Sequence, residues 1–144
     1  MPETRLGRWL YSLISSSASQ ETCDELIVAL PSASAEPFTV VWYAMIALVE
    51  RDREWASERI ADISTDVAAA VSLPEADVVS TVGELMRAVL GYQDATVPYC
   101  PVEDMLSMCV TLCVVLARGV PDGEVAEMIR KAEWATAREG INVP

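Results

Sequence analysis

Cys109 and Cys113 stand four residues apart inside MLSMCVTLCVVLA, an uncharged run from position 105 to 117. That spacing puts both thiols on one helical face, where they could ligate a metal ion or form a redox pair. A structural zinc site needs two more ligands. The chain has no histidine, which leaves Cys23, Cys100 or carboxylates. The flanking Val110, Leu112, Val114 and Val115 bring no polar groups to orient a metal ligand. A redox pair sits at a helix start beside a cation, and a disulfide within one continuous helix is strained. These thiols are therefore expected to act as small core hydrophobes in a reducing, cytoplasmic protein, with no metal and no cofactor.

Glu58, Asp62 and Asp66 recur at steps of four, flanked by Glu54 and Arg59. Carboxylates so placed hold Mg²⁺ when an opposing helix supplies more, as in all-α nucleotide pyrophosphohydrolases. Glu124-x-x-Glu127 and Glu21-x-x-Asp24 are the available second sets. Neither has the tight pairing such enzymes use, so a solvated face is expected and a Mg-dependent nucleotide hydrolase is the lesser alternative. No histidine is present to activate a serine or cysteine, lysine occurs once, and no Gly-rich phosphate loop occurs. No catalytic residues are assigned, and a non-enzyme is expected.

Trp134 carries the sharper signal. At 100° per residue, Val125, Met128, Ile129, Ala132 and Thr136 share one side of a helix. Trp134 falls opposite them, beside Glu127, Arg130, Lys131 and Arg138. Trp55 likewise leaves its apolar stripe, at the angle of Asp62 and Asp66. Tryptophan ringed by charge is the composition of an interface anchor. The alternative is cover by a neighbouring segment, for Trp134 the tail from Ile141 to Val143. The expected partner-binding residues are Trp134, Arg130, Arg138, Trp55, Glu58, Asp62 and Asp66.

The charge narrows the partner. The chain has 144 residues and a net charge of −12, with the strongly acidic blocks at 19–36 (−4) and 72–104 (−5). Phosphate backbones and anionic lipids repel such a chain, whereas basic protein surfaces attract it, so neither nucleic acid nor membrane is an expected direct partner. A transmembrane helix needs about 20 apolar residues. The uncharged runs 37–49 and 105–117 are shorter. The opening MPETRLGRWLYSLISSSA loosely mimics a secretory signal, but Leu6, Trp9, Leu10, Leu13 and Ile14 fall on one helical face and belong to a fold. Abundant Ala, Val and Arg beside a single Lys and a single Asn point to a GC-rich genome, bacterial or viral.

These residues must be positioned by helices. The spacing predicts a short amphipathic helix over 4–16, and the capping box Thr22-x-x-Glu25 predicts another, ending at Pro31. From Phe38 to Val71 there is neither Gly nor Pro, and apolar residues recur at steps of three, four or seven. The pattern favours one long or kinked helix over a hairpin turning at ERDRE. The box Ser72-x-x-Glu75 opens a helix to about residue 90, Pro101 opens one over 102–118, and Asp122 caps the last, to about Arg138. Gly91, Gly119 and Gly140 follow as stops.

No run alternates with period two. Expected is a single all-α domain over 1–144, a compact bundle of about six helices. Two apolar helices, about 38–49 with continuation towards 71, and 102–118, form its centre. The function expected is a small acidic regulator or inhibitor that binds a basic partner protein. The alternatives are an anti-defence inhibitor of the phage type that mimics nucleic-acid charge, and a homo-oligomeric assembly protein.

Overall fold

The computed structural model describes residues 2–15, 35–51 and 57–140. They form six helices: α1 Arg5–Ile14, α2 Ala35–Arg51, α3 Ser57–Ala70, α4 Glu75–Val89, α5 Val102–Leu116 and α6 Asp122–Arg138. No strand occurs among the described residues, and the helices pack into one bundle. No helix among them is long and apolar enough to cross a membrane. The capping box at Thr22 and the helix it announces lie outside the described residues.

The centre is where the apolar runs place it. α5 carries the uncharged run and packs against α1, α2, α3 and α4. α2 packs against α6 and α5 and, more lightly, α1 and α4. Val40, Val41, Ala44, Met45, Leu48 and Val49 of α2 are buried, as are Met108, Cys109, Val110, Leu112, Cys113 and Val115 of α5. A helix apolar on every side has no face to give to water, so both must be surrounded. The one-sided helices flank them. α1 buries Leu6, Trp9, Leu10, Leu13 and Ile14; α4 buries Val78, Val82, Leu85 and Met86. Buried hydroxyls return to their own helix: Ser64 donates to the Ile60 carbonyl and Thr136 to the Ala132 carbonyl, each at 2.8 Å.

The stretch expected as one helix from Phe38 to Val71 is seen as α2 and α3, with 52–56 outside the described residues. Their described parts do not pack side by side as the arms of a closed hairpin would; each packs on α5.

Two expected caps are corrected. Neither Ser72 nor Asp122 occupies the N-cap; Pro74 and Pro121 do, and Pro101 does the same for α5. The pyrrolidine ring holds each proline near φ −57° with an extended ψ of 126–145°, so the chain enters the helix at the proline itself. No side-chain cap bond forms there. Paired acids in the first turn, Glu75 with Asp77, Glu103 with Asp104 and Asp122 with Glu124, oppose the positive end of each dipole instead. The stops are as expected: Gly91 and Gly119 take φ of +89° and +81°, a region costly for any residue with a Cβ.

The first helix is held by a contact of a different kind. Thr4 caps α1 through its hydroxyl, which accepts from the Gly7 N–H at 2.9 Å. Across the bundle, the Glu133 carboxylate of α6 accepts from the Glu3 N–H at 3.1 Å and the Thr4 N–H at 2.5 Å. Glu133 is buried, and its charge lies at the positive end of the α1 dipole. It fits because residue 7 is glycine: a Cβ there would stand 2.4 Å from Glu133 Oε2.

Candidate functional site

α6 turns Val125, Ile129, Ala132 and Thr136 into the core, and Trp134 outward with 65% of its surface exposed. One turn further on, the Arg138 guanidinium stands 4.7 Å from the centre of the Trp134 ring, a cation–π contact. One turn earlier, Arg130 lies 3.4 Å from Glu127 and 3.6 Å from Glu3. The indole thus sits between two arginines on an open helical face. The Arg138 stack covers part of the ring, and most of its surface stays exposed. The tail beyond Gly140, the expected alternative cover, lies outside the described residues.

The acidic set is separate. Glu58, Asp62 and Asp66 are exposed on α3, and Arg118 at the end of α5 approaches Asp66 at 3.4 Å. α3 packs on α4 and α5, whereas α6 packs on α2 and α1, and α3 and α6 do not touch. The expected binding residues therefore form two patches. Trp55 lies outside the described residues. Of the second carboxylate sets, Glu124 is bonded by Arg51 at 2.8 Å, which lowers its pKa, and Glu127 faces Arg130. Glu21 and Asp24 lie outside the described residues. Among the described residues, no group of three His, Cys, Asp or Glu side chains could hold a metal ion.

The thiols are set by burial. Cys109 is pushed up to about 12 and Cys113 higher still, chiefly because a thiolate loses its hydration in the core. Burial also raises the partly exposed Cys100, and the nearby Asp104 carboxylate adds to it. A thiol held protonated is a poor nucleophile and a poor ligand. Iodoacetamide at about pH 8 should leave Cys109 and Cys113 unmodified in the native protein and alkylate both once concentrated guanidinium unfolds it. Rapid native labelling at either, read by peptide mass spectrometry, would contradict the burial.

A third feature was not legible in the sequence. The 98–101 segment, the start of α4 and the first turns of α5 enclose a cleft of about 370 Å³. Leu73, Val78 and Met108 line it with apolar surface, Asp77 and Asp104 with carboxylates, and Tyr99 stands at it with 97% of its surface exposed. The connection leading to it is tied to α4: Arg87 bonds Glu84 at 3.0 Å and Asp94 at 2.7 Å and lies over the Tyr92 ring, while Glu84 accepts from the Thr96 N–H at 2.9 Å. Two prolines around an aromatic, Pro98-Tyr99-Cys100-Pro101, are the one local sign of a presented ring.

No protein-family model, no curated protein and no solved structure matches this chain.

Proposed function

We propose that this chain is a non-enzymatic protein–protein interaction module, a small acidic regulator or inhibitor that acts by binding a partner with a basic surface. The observation that carries it is Trp134, a large aromatic left 65% exposed and stacked under Arg138 on a helix whose opposite face is core. Tryptophan and arginine are both enriched among the residues that dominate binding energy at interfaces. The exposed carboxylates of α3 and the net charge of −12 supply long-range attraction to a basic surface. Among the described residues the three thiols, Cys100, Cys109 and Cys113, are free, which suits a reducing compartment, and we place the protein in the cytoplasm.

The test is capture from a lysate of the native host on the immobilised chain, with Trp134→Ala in parallel and mass spectrometry as the readout. We expect a basic protein to be retained by the wild type and reduced at least about tenfold by the variant. The melting temperature should not move, since the ring packs on no core. The retained partner should also elute as salt rises from about 50 to about 500 mM. Equal capture by both chains, or capture indifferent to salt, would refute the proposal.

A further inference from the structure

The geometry points to the cleft beside Tyr99 as the place that receives one arginine side chain of that basic partner, its guanidinium stacked on Tyr99 and bonded by Asp77 and Asp104. This rests on the interaction reading and gives it a second, chemically defined contact. The walls match the parts of an arginine. Leu73, Pro74 and Pro101, over a floor closed by the buried Val78 and Met108, offer apolar surface to the methylene stem, and Asp77 and Asp104 offer acceptors to the head. Tyr99 supplies the face, and with 97% of its surface free it contributes almost nothing to the fold that carries it. Prolines on both sides restrict the backbone, so little entropy is lost when the ring is covered.

Charge identifies the occupant. The 72–104 block holds Glu75, Asp77, Glu84, Asp94, Glu103 and Asp104 against the single Arg87. Arg87 is committed to Glu84, Asp94 and the Tyr92 ring. Among the described residues, no arginine or lysine pairs with Asp77 or Asp104. The cleft therefore has aromatic and anionic walls and lacks its own cation. Arginine suits it better than lysine, because a planar, weakly hydrated guanidinium can stack and bond at once, whereas an ammonium keeps its water.

The experiment uses the whole chain, ¹⁵N-labelled, titrated with N-acetyl-arginine methylamide as the probe. The lysine counterpart and the neutral citrulline counterpart serve as controls. We expect saturable amide shifts centred on Tyr99, Cys100, Asp77 and Asp104, weaker with lysine and absent with citrulline. Tyr99→Ala should weaken binding about two- to fivefold, and Asp77→Asn with Asp104→Asn about tenfold. Tyr99→Ala should leave the melting temperature unchanged, whereas the double Asn variant gives up one first-turn charge at each of two helix starts and should lower it by only a few degrees, short of unfolding at the titration temperature. The assignment is overturned by no shifts at the cleft, by equal binding of citrulline or lysine, or by shifts spread evenly over every surface carboxylate. If the arginine probe misses the cleft while capture still depends on Trp134, the cleft assignment alone falls. If the probe binds there while capture ignores Trp134, the α6 surface falls and the cleft stands.

Discussion

Gly7→Ala should destabilise the wild-type chain and stabilise a chain that already carries Glu133→Ala. Two effects of opposite sign meet at this position. Alanine is favoured over glycine inside a helix by about 1 kcal/mol, so by propensity alone the substitution should help. Against it, the new Cβ would lie 2.4 Å from Glu133 Oε2 and 2.5 Å from its carboxyl carbon, so the carboxylate must leave. A glutamate head on a flexible stem moves cheaply in general. This one is held by the Glu3 and Thr4 N–H groups, and displacing it strips two part-buried charge-assisted bonds together worth about 2–4 kcal/mol.

The loss exceeds the gain, and Gly7→Ala should cost about 1–3 kcal/mol in urea unfolding. With Glu133 already alanine the obstacle is gone, and only the propensity gain of up to about 1 kcal/mol remains. Glu133→Ala by itself should cost about 2–4 kcal/mol, because it leaves two N–H donors at a helix start without their acceptor. A coupling between the two sites of about 2 kcal/mol or more is the signature. Additive effects would show that the carboxylate does not hold the helix start.

The second large effect appears above neutral pH. Cys109 rises from the ordinary value of 9.0 to about 12, and Cys113 moves in the same direction for the same reason. In the unfolded chain these thiols lose their protons near pH 9.0, whereas in the folded chain they keep them. Between those values the native state binds more protons, so stability falls as pH rises. The contribution is whole below pH 9.0 and is progressively lost towards about 12. Each such thiol lowers stability by about 1.4 kcal/mol per pH unit, and Cys109 alone by about 4 kcal/mol across the window.

Set against a total of about 5–15 kcal/mol for a domain, that removes a large share of the stability. Denaturant titrations at successive pH values with reductant present should show the decline. The double variant Cys109→Ala with Cys113→Ala should flatten the slope by about 3 kcal/mol per pH unit while costing some packing at neutral pH. Every other group is common to both chains and cancels in the difference. Identical slopes would mean that neither thiol is buried as described.

Much of the fold lay in the spacing of apolar residues. An α-helix repeats every 3.6 residues, so Leu6, Leu10 and Leu13, or Val78, Val82 and Leu85, declare both a helix and its buried side without reference to the rest of the chain. All-round apolarity likewise announced that 38–49 and 105–117 would be enclosed. The same rule set Trp134 opposite its own stripe, but that the ring is left 65% exposed, and not covered by a neighbouring segment, only the tertiary structure decides.

Tertiary structure alone decided what one helix cannot encode about another. The wheel gave Glu133 no reason to be buried, since a lone carboxylate in a core is costly. Its burial became favourable only when folding brought the start of α1, 129 residues away, to donate two N–H groups. Asp66 met Arg118, Ser72 lost its cap to Pro74, and Tyr99 came to line one cleft with Asp77 and Asp104 by the same logic. Periodicity records how a segment meets the core. The pairing of charges, caps and clefts depends on which segments the core then holds together.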